Sequence, residues 1–103
     1  MSVDQGDIIM IDNISTPVFV ASTSVFNRAE MIIGCPVVKE CEESVLHSPL
    51  RYSERKGIVL CEQLKFFDLK KRHYSVLSRT DTRDSMEVVD IIQGIVDYTR
   101  GQV

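Results

Sequence analysis

No apolar run in this sequence approaches the roughly 20 residues that a membrane-spanning helix requires. The opening Met-Ser-Val-Asp-Gln-Gly-Asp has neither the basic nor the apolar region of a secretory signal, so a cytoplasmic protein without membrane association is expected. Cysteine is scarce and unpaired: the three residues Cys35, Cys41 and Cys61 form no Cys-x-x-Cys spacing. Together with His47 and His73 they lack the paired ligand spacing of a zinc site, so neither a metal nor a cofactor is expected. Cys35 and Cys61 lie inside apolar runs, where a free thiol behaves as a small hydrophobe, and nothing local supports a Cys–His nucleophilic pair. Internal repeats, low-complexity tracts and linkers are missing as well. The 103 residues therefore read as one domain, with residues 100–103 as a frayed tail. A chain of this size buries roughly 60–65% of its unfolded surface without staples.

Positive charge is in deficit overall, at a net −3, which argues against a protein that binds nucleic acid through bulk charge. Its distribution is uneven. Residues 1–50 carry two basic and seven acidic groups, whereas residues 51–72 carry seven basic and three acidic ones. That segment is either a local positive field for a polyanion or a set of solvated loop and edge-strand charges.

The most informative stretch is Gly57 to Leu69. Ile58-Val59-Leu60-Cys61 is an unbroken apolar run, short enough for a strand buried on both faces and preceded by a turn-like Glu54-Arg55-Lys56-Gly57. Glu62-Gln63 then interrupts it, Leu64 to Leu69 resumes it, and Lys70-Lys71-Arg72 ends it. A carboxylate between buried segments is costly unless it is paired or reaches water. Glu62 is thus either a strand exit or bulge, or a functional acid at the mouth of a barrel.

Elsewhere the pattern gives strands over Asp7–Asp12, Val18–Ala21, Met31–Val38, Ser44–Leu50 and His73–Ser78, with a turn or a single helical turn over Val25–Glu30. Pro36 requires an edge or a bulge in its strand. From Ser85 the period changes: Met86, Val89, Ile92 and Val96, with Val88, Ile91 and Ile95, recur at helical steps, and Asp81, Thr82 and Asp84 are candidate N-caps. Gly94 inside that helix costs about 1 kcal/mol relative to Ala. The fold class expected is mainly β with a C-terminal helix, a small bent barrel with the helix packed on it.

The segment Gly57-Ile-Val-Leu-Cys-Glu-Gln63, with Phe67-Asp-Leu-Lys-Lys-Arg72, resembles the Gly-Val-Val-x-x-Asp-Gln…Asp segment of MazF/PemK-type toxins. Gln5-Gly-Asp-Ile-Ile-Met-Ile-Asp12 is similar to that family's opening strand, and Pro17-Val-Phe-Val-Ala-Ser22 to its second. Phe26-Asn27 followed by Ile33-Gly-Cys-Pro-Val37 is similar to its third. The matches fall in order across about residues 5–97. The resemblance implies an SH3-like barrel of the MazF/PemK/CcdB type. It further implies a metal-independent endoribonuclease toxin of a type II toxin–antitoxin pair, acting on single-stranded RNA as a homodimer with an antitoxin partner.

In that family an Arg before the Pro of the second strand, a Thr or Ser after the Pro of the third, and in some members the acid of the Asp-Gln pair do much of the chemistry. A long glycine-rich loop between the first two strands covers the RNA. Here Thr16 precedes Pro17, Val38 stands where the hydroxyl residue is expected, and only Asn13, Ile14 and Ser15 separate Asp12 from Thr16. Neither Thr16 nor Val38 ionises, so neither replaces the lost cation. Glu62 keeps the acid beside Gln63. The resemblance and the local charge together nominate Glu62, Lys65 and Thr16 for catalysis, and Arg28, Lys39, Gln63, Lys65 and Lys70 for RNA binding. His47 and His73 are either acid–base groups near neutral pH or surface histidines.

Three functions compete. One is an mRNA interferase with a degenerate active site and weak or lost activity. The second is a catalytically inactive module of the same fold that binds an antitoxin-like peptide or a large cellular enzyme. The third is an unrelated small barrel serving as an adaptor. For the homodimer, Val25, Phe26, Phe66 and Phe67 are candidates, because adjacent Phe66 and Phe67 on one strand cannot both face one core.

Overall fold

The computed structural model describes residues 3–97, so the expected frayed tail at 100–103 lies outside the described residues. In chain order the elements are β1 (Asp7–Ile11), β2 (Val18–Val20), α1 (Ser24–Asn27), β3 (Met31–Val38), β4 (His47–Tyr52), β5 (Arg55–Leu60), β6 (Lys65–Asp68), β7 (Tyr74–Arg79) and α2 (Thr82–Val96). All strand pairings are antiparallel, in the order β4-β5-β3-β2-β1-β7, with β6 added to β3. The two ends of that path meet at a bridge between Tyr52 and Thr80, which curls the sheet into a small barrel.

The continuous apolar run of β1 is explained by two cores, one on each face of the sheet; that of Ile58–Cys61 is not, since Val59 and Cys61 are buried while Ile58 and Leu60 stay half-buried on the outer side. Ile8 and Phe19 point into the first, with Cys35, Val37, Leu50, Val59, Cys61 and Val88 of α2. Ile9, Ile11, Val18 and Val20 point into the second, with Ile32 and Leu69. A strand buried on both faces has no use for the polar alternation of a half-exposed one. Phe67 packs against the second core while Phe66 stays 58% exposed, so the two adjacent rings part as the strand period demands.

Local chemistry accounts for the breaks. Gly34 admits β2 closely: a Cβ there would lie 2.5 Å from Val18 Cγ1 and 2.7 Å from the Phe19 carbonyl oxygen. Pro36 falls where one edge of β3 changes partner, from β6 at residues 31–34 to β5 at residues 37–38. Val37 N–H, by contrast, donates to Pro17 O on the β2 side at 2.9 Å, so the amide that Pro36 lacks is one the sheet does not need.

Helix α2 starts at Thr82, three residues before the periodicity alone indicates, because the Asp81 side chain accepts from Arg83 N–H as its N-cap. Its apolar face is narrower than expected: Val88 is buried and Val89, Ile91 and Ile92 pack on the first core, but Met86, Ile95 and Val96 are exposed. The β4–β5 turn is Ser53–Glu54, with Ser53 at φ +56, so Arg55, Lys56 and Gly57 belong to β5 and not to the turn that their composition suggests.

The outer edge of β4 is closed to further pairing. His47 N–H donates to Ser44 O at 3.1 Å, Pro49 has no N–H, and Arg51 N–H donates to Asp84 Oδ2 at 3.2 Å. Among the described strands β7 pairs with β1 alone, and its Val76 and Leu77 are exposed.

Candidate functional site

The register of the β4–β5 hairpin builds the site. Residues alternate along β4 so that Ser48, Leu50 and Tyr52 are buried while His47, Pro49 and Arg51 face outward. Their partners on β5 are Leu60, Ile58 and Lys56, and Ile58 pairs in turn with Val38 of β3. Partners in register share a face. One outer surface therefore carries His47, Pro49 and Arg51 beside Leu60, Ile58, Lys56 and Val38. The β2–β3 register, Val18 opposite Pro36, extends through the Val37–Pro17 hydrogen bond and sets Thr16 across from Val38. The two positions at which the expected arginine and hydroxyl are missing are thus neighbours.

Chain exit from β5 gives Glu62 its position. The turn over Cys61–Glu62 is closed by Gln63 N–H donating to Leu60 O at 3.0 Å. Because His47 pairs with Leu60, the imidazole stands beside this turn, and His47 Nε2 lies 3.1 Å from Glu62 Oε2. The other ring nitrogen, Nδ1, is 2.7 Å from the Glu42 carbonyl oxygen and 3.4 Å from Cys41 Sγ. A carbonyl and an ionised carboxylate can only accept, so the surroundings select the imidazolium with both nitrogens donating. The Glu42 hydrogen bond, then the Glu62 one, raise the His47 pKa above its ordinary 6.5. A bond from its own backbone N–H, then the His47 bond, lower that of Glu62 below 4.5. With side chains 15% and 36% exposed, His47 is the shielded member and Glu62 keeps access to solvent.

Glu62 is therefore a strand exit and also one half of an ion pair. Its partner is neither Gln63 nor Lys65, the neighbours in sequence, but a histidine fifteen residues away. Lys65 leaves the turn on β6, opposite Gly34. The sequence left His47 as either an acid–base group or a surface histidine; what joins it to Glu62 is the hairpin register, which depends on where the turn falls.

Two cavities flank the apolar wall formed by Pro49 and Ile58. One, of about 560 Å³, is lined by Cys41, Glu42, Val45 and His47. The other, of about 660 Å³, is lined by Lys39, Arg51, Lys56 and Arg83. Lys39, and through its pair with His47 also Glu62, thus border the outer surface that carries Val38. Arg28 and Lys70 do not: Arg28 follows α1, and Lys70 follows Leu69, whose N–H donates to Glu30 O at the Met31 end of β3. That end is roughly 20 Å from Val38 at ~3.3 Å per strand residue. Gln63 and Lys65 are exposed between the two regions, and His73 is exposed ahead of β7, opposite Asp12.

The arrangement offers an ionised carboxylate held by an imidazolium, cations in an adjoining cavity, and an apolar strip between them. Such a set can take a proton from a hydroxyl and bind an anion, given a substrate that reaches both.

Comparison with known proteins gives the same architecture. MazF in the MazE–MazF crystal structure from Deinococcus radiodurans (form I) superposes with a TM-score of 0.83 at 18% identity, covering 95% of this chain and 99% of that one. An endoribonuclease from a mycobacterial species matches with a TM-score of 0.81 at 9% identity, over 96% of this chain and 97% of that one. An endoribonuclease crystallised with its cognate antitoxin, also mycobacterial, gives 0.81 at 10% identity, over 95% and 98%. No curated protein matches the chain by sequence. The family model described as PemK-like, MazF-like toxin of type II toxin–antitoxin system matches residues 4–96. With nearly its whole length matched, the chain belongs to the PemK/MazF-like toxin family of type II toxin–antitoxin systems.

Proposed function

We propose that this protein is an mRNA-interferase-type toxin that cleaves single-stranded RNA slowly and without a metal, working in the cytoplasm as a one-domain homodimer neutralised by an antitoxin. The observation that carries this reading is the His47–Glu62 pair, which keeps the acid of the family's Asp-Gln segment ionised on the face that also bears Val38. Glu62 takes the proton of a ribose 2′-hydroxyl. The O2′–P bond forms, the P–O5′ bond breaks, and the departing 5′ oxygen takes a proton from water. Thr16 donates a hydroxyl hydrogen bond to the phosphate without a charge. Gln63 and Lys65 hold the chain beyond the scissile bond.

The rate is low because the arginine and the hydroxyl are replaced by Thr16 and Val38. Losing one well-aimed donor costs about 10²–10³ in rate, and two that act as a unit do not simply multiply. Incubating a long single-stranded RNA with the protein in EDTA is expected to give slow cleavage that Glu62→Gln abolishes and Lys65→Ala or Lys39→Ala slows. Cleavage undiminished in Glu62→Gln overturns Glu62 as the base. Complete inactivity of the unaltered protein favours a second reading, a catalytically silent module that binds an antitoxin-like peptide or a large cellular enzyme. The apolar strip of Val38, Ile58 and Pro49, where the family carries a hydroxyl, suits that role.

A further inference from the structure

Loss of the arginine before Pro17 leaves phosphate binding without a cation at that point. We infer that the cation is supplied from the β4–β5 hairpin instead: the cavity walled by Lys39, Arg51, Lys56 and Arg83 binds backbone phosphates of single-stranded RNA. This rests on the proposed RNA-cleaving function and adds where the polyanion lies.

The charges that line this cavity are cancelled only in part. Two carboxylates, Asp81 and Asp84, line it beside the four cations, leaving a net of +2, and both accept from main-chain amides. Asp81 caps α2 through Arg83 N–H, and Asp84 Oδ2 accepts from Arg51 N–H. Among the described residues, the ion pairs within 4 Å are His47–Glu62 and those of Arg79 with Asp4 and Asp7. Lys39, Arg51, Lys56 and Arg83 enter none of them. Arg51 and Lys56 are direct partners across the hairpin, so like charges that repel one another are held side by side. That arrangement costs stability in the free protein and gains it back when a polyanion enters.

Shape and surroundings favour a nucleic acid over an acidic peptide. At about 660 Å³ the cavity is of the size that holds a small ligand such as a nucleotide. Arg51 and Arg83 present planar forks that match phosphate oxygens in pairs. Pro49 and Ile58 form one wall of this cavity and one wall of the His47 cavity, giving a base an apolar surface between the cations and the proton-transfer pair. A peptide carboxylate offers that pair no proton to move.

The test is the salt dependence of binding of a short 2′-O-methyl single-stranded oligonucleotide, which cannot be cleaved, followed by fluorescence anisotropy. Arg51→Ala and Lys56→Ala are each expected to flatten the slope of log K against log salt by about 0.7, and the double variant by about 1.4. Lys71→Ala, in the connection after Leu69 at the far end of β3, is expected to change nothing, and thermal melts establish that each variant is folded. Unchanged slopes in the Arg51 and Lys56 variants, an equal effect in Lys71→Ala, or no binding by the unaltered protein overturn the inference. Displacement of the oligonucleotide by oligoglutamate at equal affinity overturns it in favour of a protein ligand. Cleavage of unmodified RNA is measured in parallel. Flattened slopes without any cleavage uphold the phosphate site and refute the proposed activity. Cleavage with unchanged slopes does the reverse.

Discussion

Glu62 meets His47 at 3.1 Å although fifteen residues separate them, and the same imidazole holds the Glu42 carbonyl with its other nitrogen. One side chain therefore ties the start of β4, the connection before it and the turn after β5.

This clasp makes stability pH-dependent with a defined sign. The folded pKa of His47 is raised, so its contribution is whole below 6.5 and fades as pH rises through the elevated value. That of Glu62 is lowered, so its contribution is whole above 4.5 and fades as pH falls through the depressed value. The melting-temperature gap between the protein and His47→Gln is expected to be widest between pH 4.5 and 6.5 and to narrow on both sides. Thermal melts across pH 3 to 9 check it. A gap independent of pH removes the ion pair as its source.

The three cysteines are expected to separate by reactivity. Burial, then the neighbouring Cys61 and Glu62, pushes the Cys35 thiol up to about 12, and burial followed by Glu62 pushes Cys61 up to about 11. Cys41 is exposed. Iodoacetamide on the native protein, read by peptide mass spectrometry, is expected to label Cys41 alone, with Cys35 and Cys61 reacting only in denaturant. Native labelling of Cys35 at the Cys41 rate contradicts the first core as described.

Two glycines are expected to respond oppositely to alanine. In Gly34→Ala the new Cβ meets Val18 and a β2 backbone oxygen that cannot give way, costing about 1–3 kcal/mol or more. In Gly94→Ala it meets open space inside a helix, a gain of about 0.5–1 kcal/mol. Since 1 kcal/mol shifts the melting temperature of a domain this size by about 4–8 °C, calorimetry resolves both.

Asn27 is buried and acts as a three-way tie. Its Nδ2 donates to Val3 O at 2.6 Å and Ser22 O at 3.1 Å, and its Oδ1 accepts from Ser22 Oγ at 2.6 Å. Asn27→Ala leaves those carbonyls without the donor and is expected to destabilise by about 1–3 kcal/mol. Urea unfolding measures the loss. A cost below about 0.5 kcal/mol shows that water replaces the amide.

How far the chain could be read without coordinates follows from the range of each interaction. The run at Ile8–Ile11 announced burial on both faces, whereas the similar run at Ile58–Cys61 is buried on one only, with Ile58 and Leu60 on the half-open outer surface; the parting of Phe66 from Phe67 followed from the strand period alone. The α2 face was legible in period but not in width: Met86, Ile95 and Val96 fit the spacing, yet the core that they would cover ends before reaching them. The His47–Glu62 pair was not legible. It depends on a two-residue turn at Ser53–Glu54, and lengthening that turn by one residue would set His47 opposite Cys61 and put it on the buried side of the sheet. Charged residues posed the same difficulty: Lys39 reaches the outer face near Val38 while Lys70 sits at the far end of the same strand, a difference that composition does not carry.

The sealed edge of β4 bears on how copies of this chain can meet. An amide already satisfied by Ser44, a proline and an amide held by Asp84 leave that border no donor to offer an incoming strand. Strand-to-strand growth needs two live borders on each molecule. With that of β4 silenced, the unpaired edges among the described strands are those of β7, which pairs with β1, and β6, which pairs with β3, and a contact of like edge to like edge at either closes on itself about a two-fold axis after a single step. The proline that seems a flaw in a strand thus removes one of the borders from which a filament could grow.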